Sequence, residues 1–451
     1  MNGPEPNVRS VRQLRALESA GWAVSVLSRG SDPTRAAQAR SNRLHIRVTT
    51  TPDHPITARR RTAIAELDGR LAAARERIAE ASRAIRAARN GFGPTSGQDE
   101  ESRLRQELAT AQQDARRLAH HKRSLHAASR CTTPFGRAES FGDLVRLESF
   151  WDEAATAIVR TGWDVAQAVD LHALPALVWA REALTQSRPI VYEAQDLFAE
   201  LGHLPASHRA GWDALARTFV PLADLVLAVS DPAAQHLVDA YGARTPTIVP
   251  NYPEVTAGSG DDLRRRLRLT PDARLAVHIG ALRINRRSER LLEFALRIAG
   301  LHVACLGVDP DAPIVQDLRS SAATMGLSQR VHLIPPVPGE LVVDLVRTAD
   351  LSLITYSPDD LNLTVTWPNK LFESLAAGVP VVAAQGTAAA AFVEQRHVGR
   401  SFDPGDALSM VSAVTDVTQD PSYRREADRL APEMTWQAAA GDYVSAIQGL
   451  M

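Results

Sequence analysis

Only 2 of the 451 residues are cysteine, Cys131 and Cys305, and they stand in unrelated contexts. That usage fits neither a disulfide framework nor a thiolate metal site and predicts a chain for a reducing cytoplasm. No apolar run reaches membrane-spanning length, and the opening Met-Asn-Gly-Pro-Glu-Pro lacks the basic and apolar regions of a signal peptide. The net charge of −1 leaves no global field to gather nucleic acid or a membrane, so any such role needs a local patch. The chain is too long for one core, and length predicts about two or three domains.

What is present is an α/β rhythm interrupted once. Val8, Val11, Leu14 and Leu17 recur at helical spacing before Gly21, and strands follow at Ala23 to Leu27 and His45 to Thr50. After the interruption, strands are predicted at 165–169, 189–192, 225–229 and 247–250, with Ser230 placed to cap the helix after the third. A second series runs through 275–280, 301–307, 331–334, 351–355 and 379–384. Strands regularly separated by helices predict parallel sheets, with ligand at the carboxyl ends of the strands.

The interruption spans residues 57–130 and is rich in Ala, Arg, Glu and Gln. Ile64, Leu67, Leu71, Ala74, Ile78, Ala81 and Ile85 form a heptad seam, repeated by Leu104, Leu108, Ala111, Ala115, Leu118 and Leu125, with a break at Gly91 to Gly97. This predicts an antiparallel helical hairpin inserted in the first domain. It holds 16 Lys and Arg against 9 Asp and Glu. Its surface reads as a solvated coiled-coil face, or as a docking face for anionic headgroups or a partner helix.

The most informative stretch is Thr366 to Gly386: loop, short helix, turn and buried strand around one carboxylate. Pro368 suits a helix start, Leu371, Phe372 and Leu375 supply an apolar face, and Gly378 stands where a left-handed residue is needed. Glu373 lies mid-helix, where a carboxylate gains little from the dipole; it is either a solvated charge or a ligand for hydroxyls. Pro368-Asn-Lys-Leu-Phe-Glu373 followed by Ala376-Ala-Gly-Val-Pro-Val-Val382 resembles the donor-site signature of the GT-B glycosyltransferases, the group 1 (family 4) retaining enzymes. The resemblance implies that Glu373 binds both ribose hydroxyls and that the loop of Thr366, Trp367, Asn369, Lys370 and Leu371 faces a diphosphate, chemistry suited to a helix N-terminus.

Other segments carry the same resemblance. Gly280 to Glu289 resembles the family's glycine-plus-basic donor loop, with Gly280 allowing close approach and Arg286 and Arg287 matched to phosphate oxygens. Pro336-Val337-Pro338 resembles the segment whose backbone reads the base, and Asn251-Tyr-Pro253 the interdomain linker. Asp170-Leu-His172 and Tyr192 to Asp196 resemble the motifs lining the acceptor side, making Asp170, His172, Asp196, Arg286 and Lys370 the catalytic candidates. Three departures stand out: Glu193 and Gln195 replace an acid and a histidine, Val365 stands where many relatives carry a first glutamate, and no strand is read before the first helix, so either the true start lies upstream or the sheet is built without that strand. Asp261-Asp262 and Asp359-Asp360 read as surface turns, so no catalytic metal and no cofactor are expected.

The sequence therefore predicts two Rossmann-like domains facing across a cleft: 1–250 carrying the insert 57–130, 251–435, and a terminal helix 436–451 crossing back to the first. The implied function is transfer of a sugar from a nucleoside-diphosphate donor to an acceptor hydroxyl with retention, the acceptor being a glycan, a lipid-linked or a small molecule. The alternative is an inactive pseudo-enzyme, a sugar-nucleotide sensor or a scaffold acting through the hairpin; an epimerase would want acid and base residues that the cleft does not plainly offer. The expected location is cytoplasmic, with the basic insert as a means of lying at the inner face of the membrane or of self-association, and nucleic acid is not an expected partner.

Overall fold

The computed structural model describes residues 8–29, 43–46, 56–89, 98–132 and 150–451, apart from 152–153, 156, 160, 183, 185–186, 256–257, 259, 284–285 and 357. The first unit opens with helix α1 (Val8–Ser19), followed by a separate parallel pair, β1 (Val26–Arg29) and β2 (Arg43–Ile46). Both strands are displaced from the predicted spans, and 47–50 lie outside the described residues. Helices α2 (Ile56–Arg89) and α3 (Gln98–Thr132) follow, and the predicted break at 91–97 also falls outside the description. Leu67, Leu71, Ala74 and Leu118 form one buried seam between them, and ion pairs Arg77–Asp114 and Lys122–Asp68 join the helices in antiparallel sense.

The main sheet of this unit is wholly parallel, in the order β3 (Ala166–Val169), β4 (Ile190–Ala194), β5 (Leu225–Ala228), β6 (Thr247–Ile248). Alternation along β4 divides its side chains between two faces. Ile190, Tyr192 and Ala194 enter one core with Trp151, Trp179 and Phe219. Val191 lies on the other face with Leu227, Val249 and three residues of the terminal helix α5 (Trp436–Gln448): Trp436, Tyr443 and Ile447. Glu193 shares that second face, which decides its role below.

The second unit is a six-stranded parallel sheet in the order β12-β11-β10-β7-β8-β9. The strands are β7 (Arg274–Ile279), β8 (Leu301–Leu306), β9 (Val331–Ile334), β10 (Leu351–Ile354), β11 (Val381–Ala384) and β12 (Gly399–Phe402). Every residue of β10 and β11 is buried, as helices on both faces of a parallel sheet require. The order reverses between β7 and β10, so their carboxyl ends splay apart and open a crevice. Into it project the turn after β7, beginning at Gly280, and two short helices, one over Leu361–Val365 and α4 (Asn369–Ala376).

Candidate active site

Helix α4 is set by its apolar face. Leu371, Phe372 and Leu375 are fully buried, each contributing roughly 1.5–3 kcal/mol. Tyr252, Trp367 and Phe392 meet Phe372 edge-on, with ring centroids 4.6, 5.8 and 5.8 Å away. The helix ends at Gly378, φ +70°, where an added Cβ would collide with the Asp428 carboxylate. These contacts fix the opposite side of α4, which carries Lys370 and half-buried Glu373, towards the crevice. Burial raises the Glu373 carboxyl above its ordinary value, while Lys370 and Arg12 of α1 draw it back down.

Lys370 is only 4% exposed. Its ammonium lies 3.0 Å from Nε2 of His278 and 5.2 Å from the centre of the Tyr356 ring. His278, on β7, places Nδ1 3.1 Å from the Leu353 carbonyl of β10. A carbonyl only accepts, so Nδ1 carries the hydrogen and Nε2 is free to accept from lysine. Burial, with Lys370 next to it, holds His278 well below the usual histidine range. Burial and then Arg286 push Lys370 well below the usual lysine range, against the pull of Glu373.

Arg286 lies 5.5 Å from the Tyr356 ring centre and donates to the Ala281 carbonyl at 3.2 Å. The Thr355 hydroxyl donates to the Arg286 carbonyl at 2.8 Å, tying the loop to β10. Gly280 has φ +90° and donates to the Leu306 carbonyl at 2.7 Å; a side chain there would be strained, and the space beside it is open. Arg287 turns its guanidinium to Asp359 and Glu289 at 3.5 and 3.9 Å.

Not every predicted donor residue offers a side chain. Trp367 and Leu371 turn theirs into the core, because the segment's apolar residues pack where the sheet is, and only their main chain remains available. Val337 packs partly buried against the cluster of Val277, Ile279 and Leu306. Exposed Asn369 accepts from Asn251 of the linker at 2.7 Å, and Thr366 is buried with its hydroxyl bonded to the Asn362 carbonyl.

On the facing unit, Asp170 has φ +63° and its Oδ1 accepts from the Gln195 and Asp196 amides at 3.0 and 3.3 Å, so it shapes the loop after β4. Burial, then the Asp196 charge, push its carboxyl up to about 8. Asp196 is exposed and accepts from Asn362 at 3.0 Å, while Asn362 Oδ1 accepts from the Leu197 amide at 2.8 Å. The Ser230 hydroxyl donates to the Val365 carbonyl at 2.5 Å. His172 packs its ring 5.8 Å from Phe198.

Two expectations change. Glu193 does not line the cleft: strand parity sends it to the opposite face, fully buried against Arg9, with Gln13 and Gln167 donating at 2.8 and 2.7 Å. Asp360 is not a surface turn but a buried cap, accepting from the Leu363 amide and lying close to Gly202. Sequence reasoning missed His278, Tyr356 and Asn362. A lone histidine inside an apolar strand and an asparagine in a short helix carry no motif.

Residues 273–420 match the family model of glycosyl transferases group 1. A D-inositol 3-phosphate glycosyltransferase from Streptosporangium roseum is 27% identical over 236 residues, 49% of this chain and 52% of the relative. The chain thus spans about half the length of the curated relatives it matches. Sucrose-phosphate synthase from Thermosynechococcus elongatus superposes with a TM-score of 0.55 at 16% identity, covering 68% of this chain and 78% of that one. Anabaena HepE, solved in complex with UDP and glucose, superposes with a TM-score of 0.51 at 20% identity, covering 66% and 79%. The likeness to the group 1 glycosyl transferases thus lies in residues 273–420, across the second sheet, and the fold of two parallel sheets is the one these solved structures share.

Proposed function

We propose that the protein transfers a sugar from a nucleoside-diphosphate donor to an acceptor hydroxyl with retention of configuration. The observation that carries this reading is the convergence of Glu373, Arg286 and Lys370 where the strand order reverses between β7 and β10. Glu373 would accept hydrogen bonds from the ribose hydroxyls, each contributing about 1.5–3 kcal/mol. Arg286, with Lys370 behind it and Arg287 at the rim, would stabilise the negative charge that develops on the departing diphosphate. The bond from the anomeric carbon to the β-phosphate oxygen breaks, and the acceptor oxygen bonds to that carbon on the same face. The acceptor proton passes to the β-phosphate oxygen, so the reaction needs no protein base and no metal. Asp170, His172 and Asp196 would shape the acceptor side.

HepE being solved with UDP and glucose supports a nucleotide-sugar donor of this class. Helices α2 and α3 are read as an inserted coiled-coil hairpin, whose basic surface serves self-association or docking at the inner membrane face. The test is a thermal-shift screen against UDP, GDP, ADP and TDP with the native protein and Glu373→Ala. One diphosphate should raise the native melting temperature and leave the variant unmoved. A native protein indifferent to all four would refute the donor site; a shift without turnover of any sugar donor would instead mark a sugar-nucleotide sensor.

A further inference from the structure

Two cations meet in the crevice without a carboxylate bonded to either. Among the described residues no acid lies within ion-pair distance of Lys370 or Arg286; Glu373 acts on Lys370 only through space. The groups that do touch them are uncharged: the His278 imidazole, the Tyr356 ring and the Ala281 carbonyl. Elsewhere in this chain an arginine near the site has its acid, as Arg287 has Asp359.

We propose that His278 is a positioning residue for the leaving diphosphate: its Nε2, made an acceptor by the Nδ1–H bond to Leu353, holds the Lys370 ammonium beside Arg286 without neutralising it. This rests on the donor site proposed above. A carboxylate in the same place would hold the lysine equally well but satisfy its charge, and the diphosphate would then compete with it. A neutral acceptor orients the Lys370 amine and places no acid beside it, so an entering anion favours the lysine proton that burial and Arg286 disfavour. Tyr356 adds a ring within cation–π distance of both, stabilising two like charges at close quarters without an opposing one. The groups facing Lys370 are His278 from β7, Cys305 from β8, Tyr356 after β10, Arg286 from the glycine turn and Glu373 from its own helix.

The test compares native protein with His278→Leu, His278→Gln and His278→Glu by calorimetry. The probes are UDP, GDP, ADP and TDP, the corresponding nucleoside monophosphates, and inorganic pyrophosphate. His278→Leu should weaken the best diphosphate at least tenfold and its monophosphate much less. His278→Gln, which keeps a neutral acceptor, should restore affinity to within about threefold, and His278→Glu should remain weak even where it folds stably. A second measurement needs no folded variant: nitrogen-15 spectra of the native protein should show His278 as the neutral Nδ1–H tautomer from pH 6 to 8. Equal diphosphate affinity in native protein and His278→Leu, an imidazolium signal, or full affinity in His278→Glu would overturn the inference while leaving the donor site standing. Native protein that binds no diphosphate would overturn both.

Discussion

In the first unit a buried arginine meets a buried glutamate; in the second a buried lysine meets a histidine. Arg9 and Glu193 pair directly, with Arg9 donating also to the Val249 carbonyl at 2.8 Å and Gln13 and Gln167 filling the remaining carboxylate positions. Tyr443 of the terminal helix donates to Gln167 at 2.8 Å, so one network joins α1, the first sheet and α5. Nothing is left over in charge for a ligand to satisfy. Lys370 and Arg286 are left without an acid at an open crevice, and burial with Arg286 pushes Lys370 well below the usual lysine range. The same cost of burying an ion is offset in one place by the protein and, on the reading above, in the other by the substrate.

The contrast can be broken most severely in the first unit. Glu193→Leu strands Arg9 in the interior, and a loss of roughly 3–5 kcal/mol in unfolding free energy is expected by urea titration. Whatever folded protein remains should still shift with diphosphate, because no member of the network bonds to Lys370, Arg286 or Glu373. In the second unit the order inverts: Arg286→Ala should leave the urea midpoint nearly unmoved and lower kcat about a hundredfold, the scale of losing one donor to developing charge.

Between the units, Asn362→Ala removes the bonds to Asp196 and to the Leu197 amide. A cost of about 1–3 kcal/mol is expected from the buried amide left without its partner. Acceptor KM should rise more than donor KM if Asp196 takes the acceptor-side role proposed for it. The smallest effect concerns the stacked pair His302 and His332, 3.1 Å apart at the nitrogens. Burial and the neighbouring histidine bring His332 down to about 4. Folded His332 therefore binds its proton less readily than the unfolded chain, so stability is full above the ordinary histidine value of about 6.5 and falls as pH drops towards 4. His332→Gln should flatten that slope in melting temperature between pH 7 and 5.

The helix Asn369–Ala376 was legible because its start, apolar face and left-handed stop all lie within the eleven contiguous positions from Pro368 to Gly378. The seam of α2 was legible for the same reason: Leu67, Leu71, Ala74, Ala81 and Ile85 are buried where the heptad puts them. Strand β1 was displaced because a short run such as Ala23 to Arg29 has no local signal for its ends; pairing with β2 decides them. Glu193 was misplaced because the residues around it suggest a cleft motif, whereas its face depends on strand parity and on what α1 and α5 bring to it.

By itself the sequence determined the α/β rhythm, the long helical insert and the carboxylate at Glu373, since each is written in contiguous residues and local periodicity suffices to read it. Only the tertiary structure decided which charges are spent inside the protein and which are left at the crevice. Arg9 and Glu193 are 184 positions apart and His278 and Lys370 are 92 apart. No local pattern constrains such pairs; the packing of helices onto sheets brings them together, and the low dielectric there gives their partners' identity its energetic weight.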